Sequence, residues 1–416
     1  MAVIALFDKS FLQSLSVDES VFFDQFFLSV ICPMFYVETL ADLGKAVRQG
    51  RTPEQEVGII ATKTPELNST VCPNHLDLCA HNLMGNGIPM DGIVPRAGGK
   101  RVKVEGKSGV VYEPSSEEEA FLRWQRGDFL EVERRFAKAW RDALTSIDLL
   151  AVAAGMTAMG INPKTCKLFE DAKKIADSFV QSAEQPLDRL KLTLAVLGLP
   201  PRAEPFITAE WKKAGFPPLI KYSPFAAHVL AVELFFQIAL AANLISTQDA
   251  NNRTDISYLF YLPFCMVFVS SDRLHEKVAP LFMRPDQQFV WGPDLKADLR
   301  RLVEHYSALP QAEKEKGVIR FASTPPKDDN GLVSKLWDRY LRPWREPERP
   351  VEQDPLKNEA LLKELKRLVD LPAVSVDEFE PDSEDVAMMS VQHQIRTRRG
   401  SFRMVSEEVE RAERAR

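Results

Sequence analysis

NRTDISYLFYLPFCMVFVSSD, Asn252 to Asp272, is the stretch that decides how this chain is read. It predicts a short helix opening at Thr254/Asp255, a stop at Pro263, and a buried strand from Cys265 to Val269. That strand delivers Asp272 just past its C-terminal end. In an open parallel α/β sheet, ligands sit in the crevice beyond the C-terminal ends of the strands. An acid delivered there is a candidate for chemistry.

The pattern occurs again at the start of the chain. Ala2-Val3-Ile4-Ala5-Leu6-Phe7 is an apolar run too short for a helix, and it ends abruptly in Asp8-Lys9-Ser10. A third acid, Glu38, lies in an amphipathic helix from Pro33 to Leu43 that follows the short apolar run Ser29 to Cys32. Asp42 stands one turn beyond Glu38 on the same face and is the alternative for that position. If the strands of Asp8 and Asp272 are neighbours, Asp8, Glu38, Asp255 and Asp272 converge. Four carboxylates in one crevice repel unless a divalent cation neutralises them.

These parts, in this order, resemble the PIN-like nuclease domain. The resemblance rests on a first strand ending in Asp-x-Ser (Asp8, Ser10), a helical Glu after the second short strand (Glu38), an Asp opening a helix (Asp255), and a strand ending in Ser-x-Asp (Ser270, Asp272). It covers residues 1–50 and 224–310. It implies a three-layer α/β/α fold with a central parallel sheet, and one or two Mg²⁺ or Mn²⁺ ions held by Asp8, Glu38, Asp255 and Asp272 as metal-binding and catalytic residues. Ser10 and Ser270 would orient carboxylates or waters. The implied activity is phosphodiester hydrolysis, most often of RNA, with DNA also open. Such domains include toxins of toxin–antitoxin pairs, which are much shorter than this chain, and RNA-processing enzymes. Many act as dimers, so a homo-oligomer is an expectation too.

At 416 residues the chain has room for two domains or for one with a large insertion, and 45% hydrophobic residues suit a globular core. The net charge of −6 gives no global attraction to nucleic acid, so such a partner has to be met by a local patch. Five cysteines are an odd number, and Cys32 and Cys265 fall in apolar strand-like runs, which speaks against disulfides. The apolar stretch Phe225 to Leu244 carries His228, Glu233 and Gln237 and reads as a buried helix rather than a membrane span. With no basic segment ahead of the first apolar run, the expectation is a cytoplasmic protein.

Between residues 51 and 223 the composition shifts to a mainly helical insertion that would select the substrate, with helices expected over 117–150, 166–182, 186–197 and 208–213. Within it, Val94 to Lys107 reads as a basic hairpin whose Arg96, Lys100, Arg101 and Lys103 are candidates for a phosphate backbone. Arg273, His275 and Lys277, close behind Asp272, are candidates for scissile or flanking phosphates. Cys72, His75, Cys79 and His81 have the residue types of a zinc site but lack the two-residue knuckle that such sites favour. A C-terminal helical extension is expected over 311–370, with helices over 331–340 and 358–368. A charged tail over 371–416 is expected to order on another molecule, either RNA or a protein partner.

Ordinary structural roles compete with each reading. Asp8, Asp255 and Asp272 each sit where a helix begins, and capping is the commonest reason for Asp there. A basic helix face or hairpin is often only solvated charge. The same chain also fits a PIN-like scaffold or regulatory subunit whose insertion and tail bind a protein partner.

Overall fold

The computed structural model describes residues 2–44, 50–96, 99–104, 107–112, 115–146, 148–346, 372, 389–391, 396–407 and 410–411. The helix expected over 358–368 and the acidic run 377–385 lie outside the described residues.

The chain opens with β1 (Val3–Phe7), α1 (Lys9–Ser14), α2 (Val17–Phe26), β2 (Phe27–Ile31) and α3 (Pro33–Ala41). Then come α4 (Pro53–Lys63), β3 (Ser69–Val71), α5 (His75–Leu83) and the hairpin β4 (Lys100–Val104) and β5 (Lys107–Tyr112). Seven helices follow: α6 (Ser116–Gln125), α7 (Glu131–Ser146), α8 (Leu149–Ala158), α9 (Phe169–Gln181), α10 (Pro186–Leu197), α11 (Glu204–Lys213) and α12 (Leu219–Tyr222). The chain returns through α13 (Pro224–Ala241), α14 (Asn251–Tyr258), β6 (Val267–Ser270), α15 (Arg273–Val278), β7 (Gln288–Trp291) and α16 (Gly292–Ser307). The C-terminal part holds α17 (Gln311–Lys314), α18 (Val318–Phe321), α19 (Leu332–Tyr340), β8 (Met389–Val391), β9 (Arg398–Arg399) and β10 (Phe402–Arg403).

Five parallel strands in the order β3-β2-β1-β6-β7 form the central sheet, in a mixed α/β fold consistent with three α/β/α layers. β1 sits in the middle and is almost wholly buried, as an uninterrupted apolar run in a parallel sheet should be. Asp8 caps α1 directly after β1, and Ser16 and Glu19 close a capping box at the start of α2, so the chain passes from α1 into α2 at a defined residue. α2 packs with α16 and runs straight into β2.

Two features depart from the division of the chain at residues 50 and 224. The edge strand β3 comes from within 51–223, and it pairs with β2 through Ser29↔Ser69 to Ile31↔Val71. Conversely, α13 packs against α5, α8, α9, α10 and α12 and is the hub of the helical part. Gly and Pro frequency tracks turns; it does not say which layer an element joins. α13 is long and apolar enough to cross a membrane, yet 83% of it is buried in the protein, which explains an apolar surface all round. The expected long helix over 117–150 is interrupted after α6, where Gly127 takes φ +75°.

The C-terminal segment corrects a larger expectation. Residues 396–404 are folded onto the chain's own core. Arg399 is buried and paired with the buried Asp24 of α2, Arg396 pairs with Glu66 at 2.7 Å, and Phe402 packs edge-on against Phe22. Arg396, Arg399 and Arg403 meet acids of the same chain, whereas a scan for charge alone reads them as available to a partner.

Candidate functional site

The C-terminal ends of β1 and β6 meet. The two strands pair in parallel, and the Asp8 N–H donates to the Val269 carbonyl at 3.2 Å. Asp8 caps α1, its Oδ1 accepting from the Phe11 N–H at 2.9 Å. Its Oδ2 accepts from the hydroxyls of Ser10 at 2.6 Å and Ser270 at 2.8 Å. Ser270 Oγ in turn accepts from the Asp272 N–H at 2.9 Å, and Asp272 caps α15 through Leu274 N–H at 2.6 Å. One serine hydroxyl thus ties the two acids of the strand ends together.

His275 completes this knot from below. It is fully buried, with Nδ1 2.8 Å from Ser270 Oγ and 3.6 Å from Asp8 Oδ2, and Nε2 2.7 Å from the Asp255 carbonyl oxygen. A carbonyl can only accept, so Nε2 carries a proton. With the Ser270 hydroxyl donating to Asp8, Nδ1 is best satisfied as a donor too, which makes the ring an imidazolium. Burial alone would lower its pKa, but the Asp8 carboxylate and then Asp255 override that and raise it to about 9. For Asp8 the balance runs the other way: burial raises, yet His275, Ser10 and the Phe11 N–H together hold the carboxyl below its ordinary value.

Glu38 reaches the same edge from α3. Its Oε2 accepts from the Tyr258 hydroxyl at 2.7 Å, while Oε1 lies 3.8 Å from Lys9 Nζ. Lys9 is buried, 2.7 Å from Asp42 and 3.1 Å from the Glu38 carbonyl oxygen. Burial raises the Glu38 carboxyl, against the opposing pull of Lys9 and Tyr258 and with a further push from Asp8 and Asp42. Asp255 lies one turn before Tyr258 on α14, in mid-helix rather than at the expected helix start, because the helix begins at Asn251. Burial pushes its carboxyl up to about 7; His275 opposes, and Asp272, Glu38 and Asp8 add to the push.

Five carboxylates, Asp8, Glu38, Asp42, Asp255 and Asp272, therefore share this edge with two cations, Lys9 and His275. The set is all hard oxygen and carries surplus negative charge, which suits Mg²⁺ or Mn²⁺. The side chains nevertheless stop short of a coordination sphere: among the described residues no three His, Cys, Asp or Glu are grouped as metal ligands. Glu38, Asp255 and Asp272 are half-buried, whereas Asp8 and Asp42 are buried.

The other candidates divide. His275 cannot bind phosphate as expected, since it has no exposed surface; it stands three residues after the cap Asp272, and the third residue of an α-helix turns back under its own cap. Arg273 is exposed, pairs with Glu276 at 2.6 Å and lies over the Trp291 ring at 4.2 Å, and Lys277 is exposed. On the hairpin, Arg101 and Lys103 are exposed and Lys100 is half-buried, but Arg96 is held by Thr70 Oγ1 at 3.1 Å and lies over Tyr112. Cys72, His75, Cys79 and His81 do not form a metal group. Cys72 lies outside α5 and His81 is exposed, while burial raises both thiols. The sequence reading missed Lys9 and Tyr258. Tyr258, three residues after Asp255 on one helix face, was open to discovery by periodicity; nothing local marked Lys9 as an inward-facing cation.

Compared with protein-family models, with curated proteins and with solved structures, the chain matches none.

Proposed function

We propose that the protein is a PIN-like, Mg²⁺- or Mn²⁺-dependent nuclease, an endoribonuclease in the first instance, working in the cytoplasm. The observation that carries this reading is the Ser270 bridge between the Asp8 carboxylate and the Asp272 backbone, set beside an Asp255 carboxyl raised to about 7. Crowded acids at the C-terminal edge of a parallel sheet form a site short of positive charge.

In this reading Asp8, Glu38, Asp255 and Asp272 would hold the ion. A bound divalent ion would lower the pKa of its water and stabilise charge on phosphoryl oxygens. The chain's own groups would do the positioning. Ser10, Ser270 and His275 fix the Asp8 carboxylate, and Tyr258 and Lys9 fix Glu38. Asp255, near neutrality, would yield its proton when a cation approaches. Arg273 and Lys277 at the rim, with Arg101 and Lys103 on the hairpin, would meet phosphates of the strand.

A second reading has its own support. Lys9 and His275 already offset part of the acidic charge, as in a site kept for its shape in a scaffold or regulatory subunit. Cleavage of labelled single-stranded RNA, structured RNA and DNA separates the two, run with Mg²⁺, Mn²⁺ or EDTA on wild type and on Asp8→Asn/Asp272→Asn. Cation-dependent cleavage lost in the double variant supports the nuclease. No cleavage of any polymer supports the scaffold.

A further inference from the structure

The C-terminal segment 396–404 is gripped in an unusual way. Its centre, Arg399, is fully buried, paired with Asp24, and donates to Ser20 Oγ at 3.3 Å and to the carbonyls of Lys63 and Thr64 at 3.2 and 3.3 Å. Gly400 follows at φ +54°, where a Cβ would collide with the Asp18 carboxylate. Ser401 gives Asp18 both its N–H at 2.8 Å and its hydroxyl at 2.7 Å. Phe402 and Met404 are buried, and the Met404 carbonyl accepts from Ile319 N–H at 3.2 Å. The socket is built from α2, the end of α4 and the start of α18.

Two facts suggest that the socket exists without its occupant. Asp24 also accepts the backbone N–H groups of Glu66, Leu67 and Asn68 at 2.8 to 3.0 Å, so its carboxylate is fixed by the chain entering β3 whether or not Arg399 is present. The occupant is less complete: among the described residues the buried Nε atoms of Arg396 and Arg399 have no hydrogen-bond partner, which costs part of what the grip gains. Just upstream, β8 adds in parallel to the hairpin strand β5, so one segment spans the basic hairpin and the core.

We propose that residues 396–404 are a detachable peptide ligand of the chain's own core, recognised through an Arg399 socket and a Phe402 pocket. The inference is independent of the nuclease reading. The test places a specific protease site within residues 373–388 of the full chain and cuts it. The C-terminal fragment of the wild type should stay with the core in gel filtration and native mass spectrometry, and the Arg399→Ala fragment should come away. The core freed in this way should keep its circular dichroism spectrum and bind a labelled synthetic peptide of residues 389–407. The Arg399→Ala peptide should bind about a hundredfold or more weaker, because the buried carboxylate loses its charged partner. A Phe402→Ala peptide should also bind more weakly. Loss of the wild-type fragment on cutting, unfolding of the freed core, or equal binding of wild-type and Arg399→Ala peptides would each overturn the proposal.

Discussion

Asp255→Asn gives the most direct view of how strained the acidic edge is. The Asp255 carboxyl has its ordinary value of 3.8 in the unfolded chain and about 7 in the fold, where burial and then the charges of Asp272, Glu38 and Asp8 outweigh His275. The folded state therefore holds the proton over a range where the unfolded chain has lost it. Stability is lost progressively as pH rises from about 4 through about 7, and the loss is complete above that. The gap corresponds to about 4 kcal/mol at most. Asn is nearly the same shape and carries no charge. In EDTA at pH 8 the variant should be more stable than wild type by up to about 4 kcal/mol, and at pH 4 the two should coincide. For 416 residues melting together, at about 2.1 cal/mol/K per residue, that is about 5 °C in Tm. Urea denaturation at several pH values, with the m-value unchanged, is the assay. A variant that is less stable than wild type at both pH values, or a difference that does not vary with pH, would refute the reasoning.

Other consequences follow from the same contacts. His275 is raised from 6.5 to about 9, so the stability from its pairing is full below pH 6.5 and is lost as pH rises through about 9. Thermal melts of wild type should fall between pH 7 and 10 by about 3 kcal/mol, and His275→Gln should lack that limb. Lys9→Met removes the ammonium from the buried Asp42 and from Glu38. Chemical denaturation should register a loss of about 3 kcal/mol or more. Gly292→Ala puts a Cβ against Ser271 Oγ and 3.2 Å from the Ser270 carbonyl carbon, at the turn that carries Asp272. Cleavage should drop in that variant while a far-ultraviolet spectrum shows the fold intact.

The strands that carry the site were readable because parallel-sheet strands buried on both faces are short apolar runs, as Val3–Phe7 and Val267-Phe268-Val269 ahead of Ser270 are. Asp8 and Asp272 were readable because each ends such a run. They are also helix caps, so the capping and crevice roles fall on the same residues. β3 was not legible: three residues, Ser-Thr-Val, carry too little pattern, and the Asp24 carboxylate that holds the chain into β3 acts across more than forty residues. The same distance hid the tail. Arg399 looks like one of several solvated arginines until Asp24, 375 residues away, is brought beside it. His275 was misassigned because its charge was counted without its direction.

The measurement that bears most directly on the central claim is Mn²⁺ binding by isothermal titration at pH 7 in two buffers of different ionisation enthalpy. Wild type is expected to bind one or two ions and to release protons as Asp255 ionises, with binding lost in Asp8→Asn/Asp272→Asn. No saturable binding in the wild type, or binding that the double variant retains, would contradict a cation site at this edge.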